Sequence, residues 1–258
     1  MLFRSCPGHK IYRNQITNYG LENQSGQNKG IAIANESTGE CYNNFIKTGT
    51  GNGIDCFGGA DNKIHNNIIV DAGEYGMFIN DNSIEADYPG YESGAITRPG
   101  YTLAANTIIR PAQYGFRING TDIDNKRVLN NIICEPGVDN VSIANAGLTL
   151  DEQGNVYDTV ANLFFVDAAN DDYNLGPGSP ARDVGIDLTS YNITVDYAGT
   201  ARPINTIYDA GAFEGALVVA APTTVYLDVN TIAENNAVNQ VIGILSSDGA
   251  NITSYNLG

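Results

Sequence analysis

One spacing recurs five times in this 258-residue chain: Asn14, Asn44, Asn67, Asn106 and Asn131 are each followed two residues later by isoleucine. Nine residues after Asn44, Asn67 and Asn106 stands a glycine, and Asn131 has Asn140 at that place. Asn14 reaches Gly30 only after sixteen, as if seven residues had been inserted. From Gly30 to Asn44 and from Gly53 to Asn67 the return takes fourteen, so the undisturbed repeat is 23 residues. A period of that length marks a chain of stacked units, each burying its apolar side against the next.

Flanking residues show which way the side chains point. Ile11, Cys41, Ile64, Leu103 and Val128 lie three before the asparagines, and Ile16, Ile46, Ile69, Ile108 and Ile133 two after them. Both columns face a core. After the glycine position come Ile31/Ile33, Ile54/Cys56, Met77/Ile79, Phe116/Ile118 and Val141/Ile143, an apolar alternation of period two. The residues between them, Ala32, Asp55, Phe78, Arg117 and Ser142, face outward on strands.

Short strands, glycine turns and no helical stretch give an all-β chain that resembles a right-handed parallel β-helix of the pectate-lyase-like kind. Turns stacked at about 4.8 Å let successive asparagine amides bond to one another, which satisfies polar groups buried at a bend. A leucine-rich repeat also uses asparagine at such a period. It fits worse, because it requires an apolar residue five before the asparagine, where this chain has His9, Gly39, Asn62, Tyr101 and Lys126.

Coils are expected over residues 1–158, with two departures from the regular spacing. Gly20 to Lys29 makes a polar loop, and an insertion over about 80–100 carries Asp81, Glu85, Tyr88, Tyr91 and Arg98. Residues 159–215 change texture, with Asp172-Tyr-Asn-Leu-Gly-Pro-Gly-Ser-Pro-Ala-Arg-Asp-Val-Gly185 and a closing Tyr208-Asp-Ala-Gly-Ala-Phe-Glu-Gly215. Over 163–215 they resemble the terminal segment of secreted bacterial proteins of the choice-of-anchor Q type. That resemblance implies export or surface display and no reaction, and a C-terminal cap is the structural role expected of it. After a short apolar linker from 216, residues 222–258 resemble the opening strands of a bacterial cadherin-like β-sandwich. A truncated sandwich of this size is marginal by itself, and Glu234 stands where cadherins place a calcium ligand, without the partner acids.

Twenty-nine acidic against thirteen basic residues give a net charge of −16 with no basic run. Nucleic acid is therefore a poor partner. No stretch approaches the roughly eighteen consecutive apolar residues of a membrane span, and the N-terminus lacks a signal peptide's apolar core. The chain reads as a fragment whose earlier coils and export signal lie upstream, secreted or at the cell surface, and monomeric. Cys41, Cys56 and Cys134 read as buried thiols, with no metal-ligand spacing.

Parallel β-helices of this resemblance handle polysaccharides, as calcium-assisted lyases, metal-free lyases or glycosidases. The catalytic candidates are Asp55 and Arg117 in the outward column, His65 two before Asn67, and Glu74 in the turn before Gly76. The substrate-binding candidates are Tyr12, Tyr42, Phe78, Asp81, Tyr88 and Tyr91. No residue is assigned to a metal, no cofactor is required, and calcium is the one ion that the implied chemistry admits. Each candidate has a plainer role: tyrosine stacks steady a solenoid, and charged residues solvate a face. No paired aspartates of the polygalacturonase kind and no lyase calcium cluster occur. The expectation is an exported β-helix that engages polysaccharide on its outer face, as a lyase or hydrolase or, alternatively, as a non-catalytic adhesin-like surface module.

Overall fold

The structure is a computed structural model, and the residues it describes are 2–4, 8–21, 28–34, 39–57, 62–80, 100–119, 126–144, 147, 149–215, 225–227 and 245–247. Residues 1–216 and 217–258 form two separate compact units.

The first unit is a right-handed parallel β-helix. Sheet A joins β1 (Leu2–Arg4), β4 (Ile31–Ala34), β7 (Ile54–Phe57), β10 (Met77–Asn80), β13 (Tyr114–Asn119) and β16 (Asp139–Ile143). Sheet B joins β2 (His9–Tyr12), β5 (Gly39–Tyr42), β8 (Asn62–His65), β11 (Thr102–Ala104), β14 (Lys126–Leu129) and β17 (Leu150–Gln153). Sheet C joins β3 (Gln15–Tyr19), β6 (Phe45–Gly49), β9 (Ile68–Val70), β12 (Thr107–Ile109), β15 (Ile132–Cys134) and β18 (Val156–Asp158). Each coil contributes one strand to each sheet, so every interior strand pairs with its equivalents in the coils above and below, and the first and last pair on one side. The register follows the repeat: Met77 lies between Ile54 and Phe116, and Ile69 between Ile46 and Ile108.

The corner between sheets B and C is made by two residues. The first is held in the left-handed region, at φ 55° for Arg13, 54° for Asn43, 53° for Asn66 and Ala105, and 51° for Asn130. The second is the repeating asparagine. Each side-chain Nδ2 donates to the Oδ1 of the next coil's asparagine, from Asn14 to Asn44 at 2.8 Å through to Asn106 to Asn131 at 3.0 Å. That same Oδ1 also accepts the backbone N–H of the preceding asparagine. The second Nδ2 proton goes to a carbonyl on sheet B, for example Asn106 to Ile64 at 2.9 Å. Every interior amide thus has its donors and its acceptor used, which is what makes a column of polar side chains tolerable inside the coil. A sixth rung, Asn155, continues the ladder by accepting from Asn131 at 3.0 Å.

The glycine column has a steric cause. A Cβ on Gly53 would stand 2.6 Å from Ile69 Cγ2 and 2.7 Å from the Gly76 carbonyl oxygen, and one on Gly76 would stand 2.5 Å from Ile108 Cγ2. The isoleucine two after each asparagine fills the space that a side chain would need. Inside, the four predicted columns form one continuous core from Ile11 to Ile133, with Ile143 at their far end exposed. Val141 and Leu150, on the last coil, are only partly buried, since they have a neighbouring coil on one side.

Beyond β18 the chain leaves the coil path. Residues 159–215 hold an antiparallel pair, β19 (Phe165–Asp167) with β20 (Asp172–Leu175), short 3-10 turns at Ala168–Asn170 and Thr189–Tyr191, and otherwise irregular backbone. This segment lies along the outer faces of sheets B and C. Leu163, Tyr173, Leu175 and Ala212 pack on Ile68, Val70, Ile109 and Ile132 of sheet C, while Leu188, Ile193 and Tyr208 pack on Ala104 and Leu129 of sheet B. The corner residues hold it down. Asn130 donates to the Ile186 carbonyl at 2.8 Å and accepts the Ile186 N–H at 2.8 Å. Asn66 donates to the Val195 carbonyl at 2.8 Å and accepts from Arg202 Nη2 at 3.3 Å. Arg202 itself is buried, with Nη1 2.6 Å from Glu214 Oε1 and Nη2 donating to the Gly211 carbonyl at 2.7 Å. In the second unit, β21 (Val225–Leu227) pairs antiparallel with β22 (Leu245–Ser247).

Candidate functional site

With segment 159–215 lying on sheets B and C, sheet A remains as the coil's third face. Its outward column reads Ala32, Asp55, Phe78, Arg117 and Ser142 in register on successive coils. Beside it stand the residues that directly precede the glycine column, Lys29, Asn52, Tyr75 and Tyr114, with Asp139 in the same place on the last coil. These two columns interact in pairs.

Tyr75 lies with its ring centroid 5.4 Å from Phe78 and 5.9 Å from Tyr114, and the Arg117 guanidinium sits 5.7 Å from the Tyr114 centroid. Arg117 Nη1 also donates to Ser142 Oγ. Tyr75, Phe78, Tyr114 and Arg117 are all half-buried. Tyr75 and Tyr114 are absent from the sequence-based candidates. The signal was available, because both occupy the place before the glycine, but that place reads as a turn until contacts show that it lines a face.

Asp55 and Arg117 do not meet. Asp55, expected on a solvated face, is fully buried: Lys29 Nζ lies 2.8 Å from its Oδ2, and Asn52 Nδ2 donates to the same oxygen at 2.9 Å. Burial pushes its carboxyl up, against the pull of Lys29 and Asn52 and with a smaller push from Glu74. The outward column was read correctly as a direction, but a side chain that leaves the core is not thereby in water. Lys29, at the end of the 20–29 loop, covers it.

His65 is likewise buried, at 7% exposure, where an exposed histidine was expected. It ends a parallel stack on sheet B: Tyr12 and Tyr42 are 5.1 Å apart at 4°, and Tyr42 and His65 5.0 Å apart at 4°. Burial pulls its imidazole down to about 4, opposed by Glu40 and reinforced by Lys63 and Arg202. Glu40 takes part in a charged column on the same face, 2.7 Å from Lys63 and 3.7 Å from Lys10. Glu74 lies in the turn before sheet A, where its backbone bonds Gly51 and Gln113. Its neighbour Asp71 is taken by Arg110, with bonds of 2.8 and 3.2 Å.

Thus the four catalytic candidates sit at separate places: Asp55 under Lys29, His65 at the end of a stack on another sheet, Glu74 in a turn, and Arg117 over a tyrosine. Asp81, Tyr88 and Tyr91 lie outside the described residues. Among the described residues no three His, Cys, Asp or Glu side chains gather as a metal's ligands would. Cys41, Cys56 and Cys134 are buried free thiols, each pushed up by burial. No helix of the described residues is long and apolar enough to cross a membrane.

A family model described as a right-handed β-helix region matches residues 1–89, which span β1 through β10. No curated protein matches the chain.

Proposed function

We propose that this chain is an exported or surface-displayed β-helix module that binds polysaccharide along sheet A without cleaving it. The observation that carries this reading is the half-buried cluster of Tyr75, Phe78, Tyr114 and Arg117 on the outer side of sheet A, away from the sheet B and C faces on which segment 159–215 packs. Aromatic rings present flat apolar faces to the C–H faces of sugars, and a guanidinium and serine beside them supply donors for hydroxyls. Export rests on the resemblance of residues 163–215 to the choice-of-anchor Q segment, and display beside further domains on the cadherin-like start at 222–258. The dispersal of Asp55, His65, Glu74 and Arg117 favours binding over chemistry.

Electrophoresis of the chain through gels containing xylan, glucomannan, pectin or alginate tests the reading. At least one of these polymers is expected to retard it, and Tyr114→Ala to weaken that retardation about tenfold, the loss of one aromatic platform. A chain that no polymer retards, or a Tyr114→Ala chain retarded as before, overturns the reading.

One observation supports a catalytic alternative, the upward-shifted Asp55 carboxyl at the edge of the same face. A lyase or hydrolase using it would release unsaturated uronates or new reducing ends, and Asp55→Asn would abolish the release.

A further inference from the structure

Lys29 and Asp55 differ from every other lysine–carboxylate pair among the described residues. Lys29 Nζ lies 2.8 Å from Asp55 Oδ2, the carboxylate wholly out of solvent and the lysine side chain 14% exposed. In the other such pairs, Lys10 and Lys63 with Glu40 and Lys47 with Asp171, the carboxylate keeps 26% or 34% of its surface in water. The buried Arg202–Glu214 pair has a guanidinium, which does not lose its proton and is no nucleophile. Both partners of the Lys29–Asp55 pair are also held in place by backbone. The Gly30 N–H donates to the Asn52 carbonyl and the Ile31 N–H to the Gly53 carbonyl, each at 3.0 Å, and β4 pairs with β7 so that Ala32 lies beside Asp55. Asn52 Nδ2 donates to Asp55 Oδ2 at 2.9 Å, while Asp55 Oδ1 is buried without a hydrogen-bond partner among the described residues.

We propose that Lys29 and Asp55 condense into an intramolecular isopeptide bond that ties the chain before β4 covalently to β7. The ammonium first gives a proton to the carboxylate, leaving an amine and a carboxylic acid. The amine lone pair then forms the Nζ–Cγ bond. One carboxyl oxygen leaves as water with two of the three ammonium protons, and the third stays on the amide nitrogen. No other reactant is consumed. Desolvation turns a lysine into a usable nucleophile, and Asn52 draws charge from Cγ as the tetrahedral intermediate forms. Burial pushes the Asp55 carboxyl up, with a smaller push from Glu74 and against the pull of Lys29 and Asn52, and that net direction favours the neutral acid. Condensation of a free amine and acid in water is uphill. Here two effects oppose that: fixed reacting groups reach effective molarities of about 10⁵–10⁸ M, and a neutral amide replaces an ion pair whose desolvation is costly. The bond is independent of the sheet A reading. It competes with the catalytic alternative, because a chain that carries it has no free Asp55 carboxyl.

Mass spectrometry of the purified 258-residue chain, intact and after denaturation and trypsin, tests the proposal. The intact mass is expected to fall short of the sequence by one water. Trypsin is expected to leave Lys29 uncut, since its amine is acylated, and to release residues 14–47 joined to residues 48–63 as one branched species. Fragmentation of that species should place the link at Lys29 and Asp55. Lys29→Arg keeps a cation beside Asp55, so the fold is expected to survive, as read by circular dichroism, while the water loss and the branched species both disappear. Asp55→Ala should remove them as well. A parent chain of full mass, with Lys29 cut normally even after days at neutral pH, overturns the proposal. So does a loss of water that persists in Lys29→Arg, which would place the dehydration at another residue.

Discussion

Asn106 shows how one residue type writes the repeat. Its Nδ2 donates to Asn131 Oδ1 and the Ile64 carbonyl, while its Oδ1 accepts from the Asn67 amide and backbone. Alanine there would leave two donors of Asn67 without partners in a site that excludes water. Asn106→Ala is expected to cost at least ~3 kcal/mol, read as a lowered midpoint in urea unfolding. Asn14 is partly exposed and bonds a neighbouring asparagine on one side only, so Asn14→Ala should cost ~1 kcal/mol. Equal costs at both positions would mean that the ladder is not a cooperative column. This role was legible from spacing alone, because a buried amide repeating at coil length has only its equivalents to bond. The rung at Asn155 was not, since Tyr157 replaces the isoleucine that marks the others.

On sheet B, the Tyr12–Tyr42–His65 stack is an element-scale feature with a pH signature. In the fold His65 titrates near 4, below the ordinary imidazole value of 6.5, chiefly because burial disfavours its charged form. The unfolded chain therefore takes up a proton first, and the stability that neutral His65 contributes is lost as pH falls from about 6.5 to about 4, by about 3 kcal/mol. His65→Phe keeps a ring in the stack and is expected to flatten that part of the stability profile, measured by urea midpoints at successive pH values. A profile as steep as the parent's would assign the slope elsewhere. Glu40 contributes in a separate, lower window: burial pushes its carboxyl up but Lys63, His65 and Lys10 outweigh this and hold it below the usual value. The stacking itself follows from the repeat, since outward residues in one column must lie one coil apart. The burial of His65 does not, because Arg202 and its surroundings come from a segment more than a hundred residues away.

For the whole molecule, the decisive interaction is the one that fastens segment 159–215 to the coil. Arg202 and Glu214 are both buried and bonded at 2.6 Å, and Arg202 also reaches Asn66. Removing one member strands a charge, so Arg202→Met is expected to destabilise by roughly 3–5 kcal/mol. It should also expose the apolar faces of Ile68, Val70 and Ile109, detectable as binding of a hydrophobic dye. The paired change Arg202→Met with Glu214→Leu should recover part of that stability, and a double variant as unstable as the single one would refute the stranded-charge account. The coil's period, its three strand directions, the core columns and the asparagine corner were determined by local sequence, because a repeat constrains each residue through copies of itself at fixed spacing. Which outward columns meet solvent was decided only by tertiary structure. Non-repeating chain, Lys29 over Asp55 and residues 159–215 over sheets B and C, covers some faces and leaves the Tyr75–Phe78–Tyr114 cluster partly open, and periodicity carries no information about chain that does not repeat.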